Sequence, residues 1–219
     1  MIAVLNQRSK KYYSLLKLKI RNRFKSNVVL SEYYFGYGAN LDISRFERNN
    51  MLAEEVGVAT LVDHELKFSL ATECIGKSYA GVHEATGKNV PGVLVNIDKL
   101  SLSYLDTLEW CGFGAYERVL KNVEANGSSY MAWVYIVKYP DFNRVPSSLY
   151  LNNMINAAKD KGFSGEYISF LENQECKSSF DIDHGFSLRT YSSSRKFVNS
   201  LSLLYKLHDR LRDKLCNLI

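Results

Sequence analysis

The 219-residue chain has no apolar run approaching the roughly 20 residues needed to cross a bilayer. Its opening, Met1 to Leu5, is too short for the apolar core of a secretory signal. The four cysteines (Cys74, Cys111, Cys176 and Cys216) are far apart and include no Cys-x-x-Cys pair. That pattern fits free thiols in the cytoplasm better than a disulfide framework. His64, His83, His184 and His208 show no metal-ligand spacing with one another or with the cysteines, so no metal is expected. There is no phosphate loop, no Gly-x-Ser-x-Gly elbow and no dinucleotide fingerprint, so no organic cofactor is expected either. No internal repeat is present.

Acidic residues are missing from one end. Residues 1–31 hold eight Lys or Arg and no Asp or Glu, and residues 188–219 hold seven Lys or Arg against Asp209 and Asp213. Between them lie 13 basic and 21 acidic residues, so the net +5 conceals an acidic body with basic ends. Such a body is a poor nucleic-acid surface, and no nucleic acid is expected as partner. The ends suit contact with a phosphate-rich or acidic surface.

What is present is ample core material: 46% hydrophobic residues, with 15 Tyr and 11 Phe. The length fits one medium domain with additions. Gln7 to Ser26 carries Tyr13, Leu16, Ile20 and Phe24 at helical spacing among basic residues. This helix either packs through that face on its own domain or lies on an anionic membrane or partner. Its acid-poor, Arg-bearing composition is shared with mitochondrial presequences.

An apolar run from Val28 to Phe35 reads as a strand that stops at Gly36 and Gly38, and Leu41 to Phe46 begins a helical pattern. A strand feeding a helix through glycines leaves backbone N–H groups free for an anion or a carbonyl oxygen under attack. Val56–Val62 and Glu65–Ala71 read as two strands with a tight turn at Asp63-His64. Glu73 to Asn89 reads as a loop, followed by a strand from Gly92 to Ile97. Leu102, Leu105 and Leu108 then mark a helix capped by Asp98 or Ser101, stopped by Gly112 and Gly114, with Glu109 in its last turn. Tyr116–Glu124 and Tyr130–Lys138 form a hairpin with a type I′ turn at Asn126-Gly127. Met131, Trp133, Tyr135 and Val137 share one of its faces. A helix from Ser147 buries Leu151, Met154, Ile155 and Ala158 and ends before Gly162. At the C-terminus Phe197, Leu201, Leu204, His208, Leu211, Leu215 and Leu218 form a short heptad seam, which either docks on the domain or forms a homodimer.

Tyr34-Phe35-Gly36-Tyr37-Gly38-Ala39-Asn40-Leu41 resembles the Tyr-Phe-x-Tyr-Gly-Ser-Asn-Leu signature of the gamma-glutamylcyclotransferase family, which includes the AIG2-like proteins. Ala39 replaces the serine. Further blocks follow in order. Gly57 to Phe68 is similar to the family's Ala-Arg-Leu-x-Gly-Tyr-x-Leu-x-Phe, and Gly92-Val93-Leu94-Val95 to its Gly-Val-hydrophobic strand. Leu105-Asp106-Thr107-Leu108-Glu109 resembles Leu-Asp-x-x-Glu, and Pro146-Ser147-Ser148-Leu149-Tyr150 resembles Pro-Ser-x-x-Tyr.

The resemblance covers roughly residues 32–171. It implies a mixed α/β fold, a small curled or closed β-barrel flanked by helices, with extra N- and C-terminal amphipathic helices. The expected divisions are a basic extension over 1–30, a catalytic domain over 31–176 and a helical extension over 177–219. It also implies cyclisation of a γ-glutamyl group to 5-oxoproline with release of the attached amine, Glu109 being the general acid/base. The substrate would be a small γ-glutamyl compound held by Tyr34, Phe35, Gly36, Tyr37, Gly38, Ala39, Asn40, Tyr116 and Tyr150. Glutathione-specific relatives carry leucine where Asn40 stands, which disfavours glutathione. Many members have glycine after the glutamate, where this chain has Trp110. An indole there would reshape the pocket, and a catalytically inactive binding module is the alternative reading. Cys111 has no recognisable base partner and reads as a small apolar residue.

Overall fold

The computed structural model describes residues 2–24, 28–71 and 78–177. Among these residues five strands form: β1 (Glu32–Gly36), β2 (Ala53–Ala71), β3 (Ser78–Ile97), β4 (Tyr116–Ala125) and β5 (Ser128–Val137). They close into a barrel in the order β1-β3-β2-β4-β5. Every adjacent pair is antiparallel except β1 with β5, which meet in parallel at Tyr34 and Trp133.

The barrel depends on two strands longer than expected. Asp63 and His64 do not turn the chain; β2 runs straight through them, and β3 begins at Ser78 and absorbs most of the predicted loop. Asp63 adopts φ 54° inside a register shift between Val62 and His64, and its carboxylate accepts from the Gly87 N–H at 2.7 Å. The turn-like residues therefore make a bulge. A bulge bends and twists a long strand, and here it lets β2 pair with β3 along its length and with β4 at Ala59–Leu61. The β4–β5 turn is as expected, with Asn126 and Gly127 both at positive φ.

Helix α1 (Ile2–Phe24) precedes the barrel, and α2 (Ser44–Arg48) follows β1. Helix α3 (Lys99–Leu108) joins β3 to β4, and α4 (Ser148–Asp160) and α5 (Gly165–Glu172) follow β5. Periodicity does not pick out α5. Asp98 caps α3 by accepting from the Leu100 and Ser101 N–H groups, and Ser147 caps α4 by accepting from Tyr150 N–H. Leu102 and Leu105 of α3 are buried, as are Leu151, Met154, Ile155 and Ala158 of α4.

Helix α1 packs on α3, but not by the face its spacing suggests. Leu18 is fully buried, whereas Tyr13, Leu16 and Ile20 are exposed. The docking is completed by Arg21, which donates to Asp98 at 2.7 Å, to Ser101 Oγ at 3.3 Å and to the Asn50 carbonyl at 3.1 Å. A buried guanidinium needs such partners, so Arg21 fixes the rotation of the helix. The heptad seam over 197–218 lies outside the described residues. No described helix is long and apolar enough to cross a membrane.

Candidate active site

Strand β1 ends at Gly36, and the chain then doubles back through Tyr37 and Gly38 into a short 3₁₀ turn, Ala39–Leu41. Both glycines are needed for close approach. A Cβ on Gly36 would lie 2.9 Å from the Asn40 carbonyl oxygen, and one on Gly38 would lie 2.9 Å from the Tyr150 hydroxyl. The doubling back carries the Asn40 side chain over β1. Its amide nitrogen donates both to the Tyr34 hydroxyl, at 2.9 Å, and to Glu109 Oε1, at 3.2 Å. The glycine turn and the glutamate, 69 residues apart in the chain, thus share one hydrogen-bonded unit.

Glu109 follows the last residue of α3 as its C-terminal cap, and its N–H donates to Leu105 O at 2.8 Å. The helix is ended not by the later glycines but by Trp110, which takes the left-handed conformation (φ 53°, ψ 33°). Glycine fills such a position without strain, which gives a backbone reason for the glycine found there in relatives. The Trp110 indole packs against Phe113, ring centres 5.4 Å apart. Glu109 as a residue is half-buried. Burial pushes its carboxyl up to about 7, opposed by the Asn40 hydrogen bond and by the charge of Arg45, and reinforced by Asp106.

Tyrosines surround the carboxyl. Tyr37 donates to the Tyr135 carbonyl at 2.5 Å, and Tyr116 donates to the Ala80 carbonyl at 2.6 Å. The Ala80 N–H donates to the Tyr150 hydroxyl at 3.3 Å. All four phenols, Tyr34, Tyr37, Tyr116 and Tyr150, titrate well above the ordinary tyrosine range, chiefly through burial. They stay neutral and offer dipoles rather than charges. The Phe35 ring is fully buried and seated on Gly92, where an added Cβ would collide with it. Its part is core packing. Ala39 contributes backbone at the start of the 3₁₀ turn.

Arg45 lies outside the family blocks, and the block that holds Asp106 does not show its partners. Arg45, exposed on α2, sends its positive charge toward Glu109, Tyr34 and Tyr150. Its position one turn into a helix-like pattern after the glycines was the available signal. Behind the site, Asp106 accepts from the Tyr135 hydroxyl at 2.9 Å and pairs with Arg118 at 3.0 Å. Arg118 and Tyr135 face each other across the β4–β5 hairpin, and the end of α3 brings Asp106 to both. Cys111 is pushed up to about 12 by burial, as suits an unreactive thiol. Among the described residues no group of three or more His, Cys, Asp or Glu could hold a metal ion.

A closed five-stranded barrel that sets a helix-end glutamate against a glycine turn is the gamma-glutamylcyclotransferase-like architecture. The family model described as "Gamma-glutamyl cyclotransferase, AIG2-like" matches residues 34–152, and the chain belongs to that family. Among solved structures it resembles a gamma-glutamyl cyclotransferase at 26% identity, with a TM-score of 0.61 over 70% of this chain and 96% of that one. An uncharacterised protein from Homo sapiens is similar at 27% identity, with a TM-score of 0.60 and the same coverage. YkqA from Bacillus subtilis matches at 25% identity, with a TM-score of 0.59 over 72% of this chain and 59% of that one. No curated protein sequence matches it.

Proposed function

We propose that the protein cyclises the γ-glutamyl group of a small substrate to 5-oxoproline and releases the attached amine. The single observation that carries this reading is the contact between Asn40 and Glu109 Oε1, 3.2 Å, which joins the glycine turn to a carboxyl poised near neutrality. The substrate's α-nitrogen attacks its own γ-carbonyl carbon, and the bond from that carbon to the departing nitrogen breaks. Glu109 takes the proton lost by the attacking nitrogen and delivers it to the departing one, so no water is consumed. A base with a pKa near the working pH serves both transfers.

Backbone N–H groups from Tyr37 to Asn40 would receive the γ-carbonyl oxygen as charge builds on it. One such donor is worth about 2.7–4 kcal/mol in comparable sites. Arg45 would pair with the substrate's α-carboxylate, holding the glutamyl chain folded so that amine and carbonyl meet. Neutral phenols from Tyr34, Tyr37, Tyr116 and Tyr150 would wall the pocket. Membership of the family and the likeness to a solved gamma-glutamyl cyclotransferase support the assignment.

The test is a panel of γ-glutamyl amino acids, γ-glutamyl amines and γ-glutamylated intermediates, assayed for 5-oxoproline with wild type and Glu109→Gln. The reading expects turnover of at least one compound and a loss of about 10²-fold or more in the variant. Wild-type turnover by Glu109→Gln would remove the glutamate from the reaction. Binding without any 5-oxoproline would favour the inactive binding module.

A further inference from the structure

Helix α1 is clamped by one face and bare on the other. Leu18 is fully buried against the domain and Arg21 is locked to Asp98, so the helix cannot roll to hide its far side. On that far side Tyr12, Tyr13, Leu16 and Ile20 are 52%, 60%, 54% and 49% exposed. At about 100° per residue these four fall within an arc of about 100°, centred nearly opposite Leu18. Lys19 borders one edge of the arc and Lys17 the other. The Lys17 ammonium lies over the Tyr13 ring at 4.3 Å, keeping its charge beside the apolar stripe.

We infer that this outer face of α1 is a docking surface for an anionic lipid membrane. Leu16, Ile20 and the two tyrosine rings enter the boundary between headgroups and acyl chains, and the lysine stems run alongside with their ammonium groups at the lipid phosphates. The apolar stripe flanked by ammonium groups fits a lipid surface rather than a nucleic acid. A phosphate backbone would use the lysines but leave the central stripe wet. The helix carries no acidic residue, while the body of the chain is net acidic. An anionic surface would therefore attract this side and repel the rest, which sets one orientation. Arg21 is spent on docking the helix, and Lys11, Lys17 and Lys19 are exposed.

The experiment is sedimentation of the full chain with phosphatidylcholine vesicles, with and without phosphatidylserine. Two double variants accompany wild type: Leu16→Gln with Ile20→Gln, and Lys17→Gln with Lys19→Gln. Wild type should pellet with the phosphatidylserine vesicles and be released by salt. Each double variant should lower the bound fraction about tenfold, with the melting temperature unchanged. Wild type remaining in the supernatant would overturn the inference, as would pelleting of the apolar variant to the wild-type extent. A preference for duplex DNA over the vesicles would also overturn it. So would a lower melting temperature or a smaller solution size in the apolar variant, because the stripe would then be covered by residues 178–219 or by a second copy.

Discussion

The Asn40 amide nitrogen lies 3.2 Å from Glu109 Oε1 and 2.9 Å from the Tyr34 hydroxyl, so one side chain fixes both the turn and the carboxyl. Among the influences on Glu109, burial raises its pKa and Asn40 is the foremost one opposing that rise. Asn40→Ala should move the acidic limb of the kcat/KM profile upward by about one unit, since hydrogen bonds to charged groups are worth about 1.5–3 kcal/mol. A pH–rate profile checks it, and an unmoved limb would detach Asn40 from the titration.

Glu109 also links pH to stability. Its folded value of about 7 lies above the ordinary 4.5, so the folded state holds the proton between those values and the unfolded state does not. Stability conferred by that proton is complete below about pH 4.5 and fades as pH rises through 7. Glu109→Gln should therefore unfold at a higher denaturant concentration than wild type at pH 8, by up to about 3 kcal/mol, and show little difference near pH 4.5. Urea titrations at the two pH values would show it; equal gains at both would contradict the linkage.

Arg45 is exposed, so its removal should spare the fold. With its charge paired to the substrate carboxylate, Arg45→Ala should raise KM about tenfold while kcat falls much less. Steady-state kinetics on the best compound of the panel would decide it. A variant that loses kcat with KM unchanged would place Arg45 elsewhere in the reaction.

The Arg21–Asp98 pair is buried, its side chains 9% and 5% exposed. Removing one partner strands the other, at a cost of about 3–5 kcal/mol. Arg21→Met should destabilise by that order in chemical denaturation, and Asp98→Ala by more, because Asp98 also caps α3. Equal effects would mean that the cap is dispensable.

What could be read in the chain was mostly local. Leu102, Leu105 and Asp98 define α3 by spacing and capping, and the Asn126-Gly127 turn follows from two residues that tolerate positive φ. Asp63-His64 misled because the same tolerance serves a bulge as well as a hairpin turn, and only the pairing with β3 separates the two. Tyr13, Leu16 and Ile20 misled because spacing identifies an apolar stripe without saying which face the domain takes. There a tertiary ion pair, Arg21 with Asp98, outweighed the hydrophobic count. The Asn40–Glu109 contact joins residues 69 positions apart. Family blocks brought both into view, whereas the charge of Arg45 at Glu109 and the Asp106–Tyr135 bond are tertiary relationships that no local pattern announces.

The barrel is shut at its narrowest seam by the parallel match of Tyr34 with Trp133. That stave runs directly into the glycine turn. A guest gripped by the turn would act as a bolt across the joint, slowing amide exchange along β1 and on into β5.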